Sequence, residues 1–109
     1  MSYSKIKAVL ESVYPDVYCL EAPERPNDIP LTRYIVWTPT GSRSVYAEGR
    51  TAIRVYRAVV TVVSQDDNDP LVDQVIEALH RAHVAVGDPS QEYAENEITS
   101  YVDIPCEVI

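Results

Sequence analysis

The chain has 109 residues, enough for one hydrophobic core and too few for two, and its 46% hydrophobic and 24% charged content is far from that of a disordered chain. Its formal net charge of −8 is unevenly spread: residues 1–63 carry +2 and residues 64–109 carry −10, which argues against phosphate-backbone binding by the second half. No apolar run reaches the ~20 residues a bilayer needs, and Met1 to Leu10 alternates polar and apolar residues, so no membrane role is expected and the cytoplasm is the default compartment.

In chain order, Ile6, Val9, Leu10 and Val13 recur at helical spacing behind Ser2 or Ser4 and ahead of Pro15, which predicts a short amphipathic helix. Val17 to Leu20 reads as a short strand, and Pro23, Pro26 and Pro30 make residues 22–30 an extended loop. Tyr34 to Trp37 is a β-prone run that Pro39, Thr40 and Gly41 are expected to end. Ser42 to Thr51 is polar and separates two β-type segments, as a long hairpin arm would. Ile53 to Ser64, nearly continuous in apolar residues over one half, is expected as the central strand.

Asp69 followed by Pro70 marks a helix start, and Leu71, Val75, Ala78, Leu79 and Ala82 then share one face as far as about His83. Asp88 to Ser90 is a turn. From Tyr101 to Ile109 the chain alternates, with Val102, Ile104, Cys106 and Val108 inward and Tyr101, Asp103, Pro105 and Glu107 outward; Pro105, lacking an amide donor, points to an edge strand or an unpaired position. The expected architecture is α+β: a mostly antiparallel four- to five-stranded sheet with two helices on one face, a long β-hairpin arm, and a second face awaiting a partner.

No constellation of residues assembles a catalytic, cofactor or metal site. Asp66, Asp67 and Asp69 lack the glycine and trailing glutamate of a calcium loop and sit where a helix N-terminus attracts carboxylates. His80 and His83, one turn apart, lack a third ligand and suit a helix C-terminus. Cys19 and Cys106 show no zinc or redox spacing and read as small buried hydrophobes, and no phosphate-cradling pattern joins the three glycines. Arg43, Arg50, Arg54 and Arg57, interleaved with Tyr46 and Tyr56, fit a weak single-strand-binding surface, and fit a subunit interface better given an acidic second half. The opposed charges suit head-to-tail self-association, with Arg43, Tyr46, Arg50, Arg54 and Arg57 of one copy against Tyr101, Asp103 and Glu107 of the next; a solvated acidic face kept for solubility is the competing reading.

Arg54 to Ser64, the acidic linker, the helix from Pro70, Glu92-Tyr93 and the closing Tyr101-to-Ile109 strand resemble the tail-terminator or tail-to-head joining proteins of long-tailed bacteriophages, as does Tyr34 to Trp37 after a proline-rich loop. Residues Glu95 to Ile98 depart from that pattern, standing where relatives carry an Asp-Thr-Gly-like turn. The resemblance implies a structural, non-enzymatic virion protein of the tail or neck, assembled in the host cytoplasm. It would form a hexameric ring that caps the tail tube, stops its polymerisation and meets the head-completion or connector protein. DNA would pass through the pore without specific binding. The alternatives are another small neck, head-tail connector or minor tail component, and, in a different class, a monomeric acidic protein-binding module.

Overall fold

The structure is a computed structural model and describes residues 2–20, 32–45, 53–66, 69–94 and 99–108. The proline-rich stretch 22–30, the arm tip with Tyr46 and Arg50, and the departing turn 95–98 lie outside the described residues. The chain runs α1 (Ser2–Val13), β1 (Val17–Cys19), β2 (Tyr34–Val45), β3 (Ile53–Ser64), α2 (Pro70–Arg81), β4 (Ala85–Val86), β5 (Ser90–Tyr93) and β6 (Ser100–Val108). The six strands form one sheet in the order β1-β2-β3-β6-β4, with β5 also on β6; β1 pairs parallel to β2 and every other pair is antiparallel. This is the expected α+β fold, with β3 central.

Both helices lie on one face. Ile6 and Leu10 of α1 and Leu71, Val75 and Leu79 of α2 are fully buried against Ile35, Trp37, Ala58, Val60, Val62, Ile104, Cys106 and Val108 of the sheet. The 3.6-residue period of the helices and the two-residue period of the strands place these side chains in a single layer, which is where apolar burial supplies most of the stability. Asp69 caps α2 by accepting the Leu71 amide at 2.9 Å, and Pro70 follows at the first turn, where its missing donor costs nothing. The helix ends two residues earlier than expected. His83 takes a positive φ of 62°, its amide reaching the His80 carbonyl and that of Val84 the Leu79 carbonyl, which satisfies the last carbonyls and seals Val84 over Leu79.

Four sequence expectations are corrected. Pro39, Thr40 and Gly41 do not end β2. The ladder continues to Val45 across a bulge in which Thr40 is the extra residue, with Pro39 opposite Ala58 and Gly41 opposite Arg57. β4 and β5 were not expected; two and four residues long, they show no burial period and exist because β6 offers them hydrogen-bonding groups. β6 is an interior strand, held by β3 on one side and by β4 and β5 on the other, so of the two readings of Pro105 the edge strand is corrected and the unpaired position stands. Pro105 directs its carbonyl to the Gly87 amide at 2.8 Å, so its missing donor faces the interruption between β4 and β5 and no ladder bond is lost on the β3 side. Finally, Cys106 is buried as expected but Cys19 is exposed.

Candidate interaction surface

β2 and β3 run on together past the end of β6, whose last pair is Val108 with Tyr56. Beyond it, Arg43–Val45 and Ile53–Val55 form a two-stranded ribbon with no third strand among the described residues, the root of the expected arm. Tyr3 of α1 pins that root. Its hydroxyl donates to the Gly41 carbonyl at 2.7 Å and lies 3.0 Å from the Arg57 carbonyl, while its ring meets Trp37 and Tyr56 with centroids 6.2 and 5.1 Å away.

The Thr40 bulge decides which way the ribbon's side chains point. Before it, odd-numbered residues of β2 such as Ile35 and Trp37 face the helices; after it, Ser42 pairs with Tyr56 on the helix side and Arg43 pairs with Val55 on the other. Arg43 therefore shares the helix-free face with Arg57 and Glu107, and the Glu107 carboxylate receives both guanidinium groups at 3.2 Å. Gly41 makes this geometry available with a φ of +123°, a conformation that side-chain-bearing residues avoid. Gly41→Ala is expected to cost about 1–3 kcal/mol. It should also reduce protection of the ribbon amides while leaving those of Val60 and Val62 slow, as hydrogen exchange would measure; uniform protection in both variants would show that the bulge is not the hinge of the ribbon.

On the same face, successive rows cross the sheet: Tyr34, Val63 and Tyr101; Val36, Thr61 and Asp103; Thr38, Val59 and Pro105. Glu92 of β5 extends the first row, and Tyr18 of β1 meets Tyr34 edge to face at 6.4 Å. The flanking tyrosines shield Val63, which is only 2% exposed, and burial raises the Tyr34 hydroxyl above its ordinary pKa. Thr61 donates to Asp103 Oδ1 at 2.7 Å, which fixes that carboxylate among the rings. Neither helix packs on this face.

Of the eight residues expected at a subunit interface, the structure brings Arg43, Arg57, Tyr101, Asp103 and Glu107 to this face, basic toward the arm and acidic toward β5. Arg54 lies on the opposite side of the ribbon, where its guanidinium meets the Ser42 hydroxyl at 3.1 Å. Tyr46 and Arg50 lie outside the described residues. The two halves of the charge split are also joined within one chain, since Arg43 and Arg57 already hold Glu107 and Arg33 holds Asp69. The Arg33 bond was not foreseen, because 36 residues separate the partners. These exposed Arg–Glu pairs are worth ~0.2–1 kcal/mol each, too little to explain the fold and enough to orient a contact.

A cleft of about 370 Å3 beside the arm root is lined by Thr40, Arg57, Val59, Gly87, Pro105 and Glu107, and its two charged residues are bound to each other. The Cys106 thiol is buried and pushed up to about 11, which leaves it protonated and unreactive at neutral pH. His80 and His83 are exposed, and no group of three metal-ligating side chains occurs among the described residues. No described helix is long and apolar enough to cross a membrane.

No protein-family model and no curated protein matches the chain. Among solved structures, a chain from the virion of a native gene transfer agent particle matches 97% of this chain and 88% of its own length with a TM-score of 0.63 at 15% identity, a likeness of fold.

Proposed function

We propose that the chain is a structural virion protein, a ring-forming tail terminator that caps the tail tube, stops its polymerisation and joins the tail to the head connector. The observation that carries this reading is the likeness of fold to a virion chain over 97% of this chain. The helix-free face supports it. A sheet covered on one side presents Tyr18, Tyr34, Val36, Val59 and Tyr101 on the other, a mixture of rings and aliphatic groups that suits protein contact. Its polar ends, basic toward the arm and acidic toward β5, suit heterologous contacts, which form rings where the rotation between copies closes. The net charge of −8 suits a pore through which DNA passes, because like charge offers no counterion release.

Native mass measurement tests the ring, and tube growth tests the terminator. The expected result is a closed oligomer of uniform copy number, with or without tube protein, and tubes of polymerising tail protein that stop lengthening when the oligomer is added. A chain that remains monomeric at every concentration and leaves tube length unchanged would sink the proposal. Binding to a connector protein with no effect on tubes would move the chain from the tail end to the neck.

A further inference from the structure

The two sides of the ribbon differ in what their cations have to hold. On the helix-free side, Arg43 and Arg57 are both occupied by the Glu107 of their own chain. On the other side, Arg54 meets the hydroxyl of Ser42 and no carboxylate among the described residues, and it stands past Tyr3, the point where α1 stops covering the sheet. That side of the ribbon is a short polar strip, Ser42, Ser44 and Arg54, whose cation no carboxylate among the described residues engages. At the far end of the helix-free face stands its chemical complement. Asp103 is oriented by Thr61 and flanked by Tyr34 and Tyr101 in the adjoining row, with Glu92 next to Tyr101. A carboxylate bordered by ring faces suits a guanidinium, which hydrogen-bonds with its edge and stacks with its plane.

Within one molecule these surfaces never meet, because they lie on opposite sides of the sheet and Thr61, the residue facing Asp103, is seven positions along β3 from Arg54. A second copy stacked front to back brings them together without reversing any strand. We infer that the helix-side surface of the ribbon, with Arg54 as its cation, docks on the Tyr34–Tyr101–Asp103 patch of a second copy of this chain. The inference rests on the ring reading and gives it a surface. Contacts of this kind join unlike surfaces, so each copy offers one ribbon and one patch, and repetition gives a ring where the rotation between copies closes. Front-to-back stacking also fits the place of Arg54: only beyond α1 is the helix side of the sheet free to lie on a neighbour.

Charge exchange tests it on the full chain. Arg54→Glu alone and Asp103→Arg alone each set like charges against one another at every contact, and each is expected to weaken assembly roughly tenfold per contact at low ionic strength. The chain carrying both substitutions, and an equimolar mixture of the two single variants, restore an opposite pair and should recover the wild-type oligomer by native mass measurement. Asp103→Asn, a milder change, should weaken assembly less, and circular dichroism of each variant separates lost folding from lost contact. Single variants that assemble like the wild type, or a double variant and mixture that fail to recover, overturn the docking surface while the ring stands. If Asp103→Arg keeps the ring but loses tube protein, the patch belongs to that partner and the inference is wrong. A wild type that stays monomeric overturns the ring and the surface together.

Discussion

Leu79→Ala is expected to lower the unfolding free energy by about 2–5 kcal/mol, which for a chain of this size moves the melting midpoint by roughly 10–20 °C. Leu79 has no exposed surface and belongs to the layer that α2 shares with the sheet. It also lies beneath Val84, which is 2% exposed and is placed there by the positive-φ turn at His83. Truncation therefore removes the transfer free energy of three carbons and opens a cavity between two elements that are held by the same cap. The outcome falls toward the upper part of the range if the His83 turn holds Val84 in place, because the cavity then stays open, and toward the lower part if Val84 collapses inward. Chemical denaturation with an unchanged dependence on denaturant would locate the loss in the folded state. A midpoint within error of the wild type would mean that the α2 layer is not cooperative with the sheet.

The layer that makes Leu79 sensitive was readable from residues alone. Helical spacing marks Ile6, Val9, Leu10 and Val13 in α1 and Leu71, Val75, Ala78 and Leu79 in α2 with Ala82 at its cap; the structure buries Ile6, Leu10, Leu71, Val75 and Leu79 and leaves Val9, Val13, Ala78 and Ala82 partly exposed at the edges of the stripe. β3 was legible because Ile53 to Ser64 is the longest β-prone stretch and the only one dense enough to be buried in the middle of a sheet. The reading failed where backbone geometry overruled composition. Pro39 and Gly41 are ordinarily punctuation, yet a single bulge absorbs both and lets β2 continue, and that same bulge reverses which face Arg43 occupies. Nothing in the spacing of Arg43, Arg54 and Arg57 reveals that two of them share Glu107 and the third faces away. β5, four exposed residues without periodicity, carries no burial signal at all. The Tyr3 anchor was closer to hand, since Tyr3, Ile6 and Leu10 share one stripe of α1, but its hydroxyl contacts lie 38 and 54 residues away.

Asp69→Ala is expected to cost about 1–3 kcal/mol, of which the lost helix cap accounts for ~1 and the lost bonds from Ser64 and Arg33 for the remainder. The Asp69 carboxylate joins three elements: it accepts from the Leu71 amide at 2.9 Å, from Ser64 Oγ at 2.7 Å, and from Arg33 Nε and Nη2 at 2.8 and 2.6 Å. Arg33 in turn lies 5.1 Å from the centre of the Tyr14 ring, just past α1. Since the Arg33 side chain is 40% exposed, its share is kept to the ~0.2–1 kcal/mol of a screened pair, and Ser64, 3% exposed, is left with the longer 3.3 Å bond to the Asp66 carbonyl. Burial alone would push the Asp69 carboxyl up, but the donors from Arg33, Leu71 and Ser64 outweigh it and hold the group below its ordinary value. The sign of the linkage follows from that depression. The unfolded chain takes up this proton more readily than the folded one, so the contribution of Asp69 is complete above a pH of about 4 and is lost as the pH falls through the lower folded value. Asp69→Asn keeps an acceptor for the cap and removes the titration, so it should cost less than Asp69→Ala at neutral pH. Its stability should also fall less steeply than that of the wild type on acidification below pH ~4. Parallel acid-unfolding curves for the wild type and Asp69→Asn would show that the carboxylate is not held in its charged form by these donors, and that the cap works by hydrogen bonding alone.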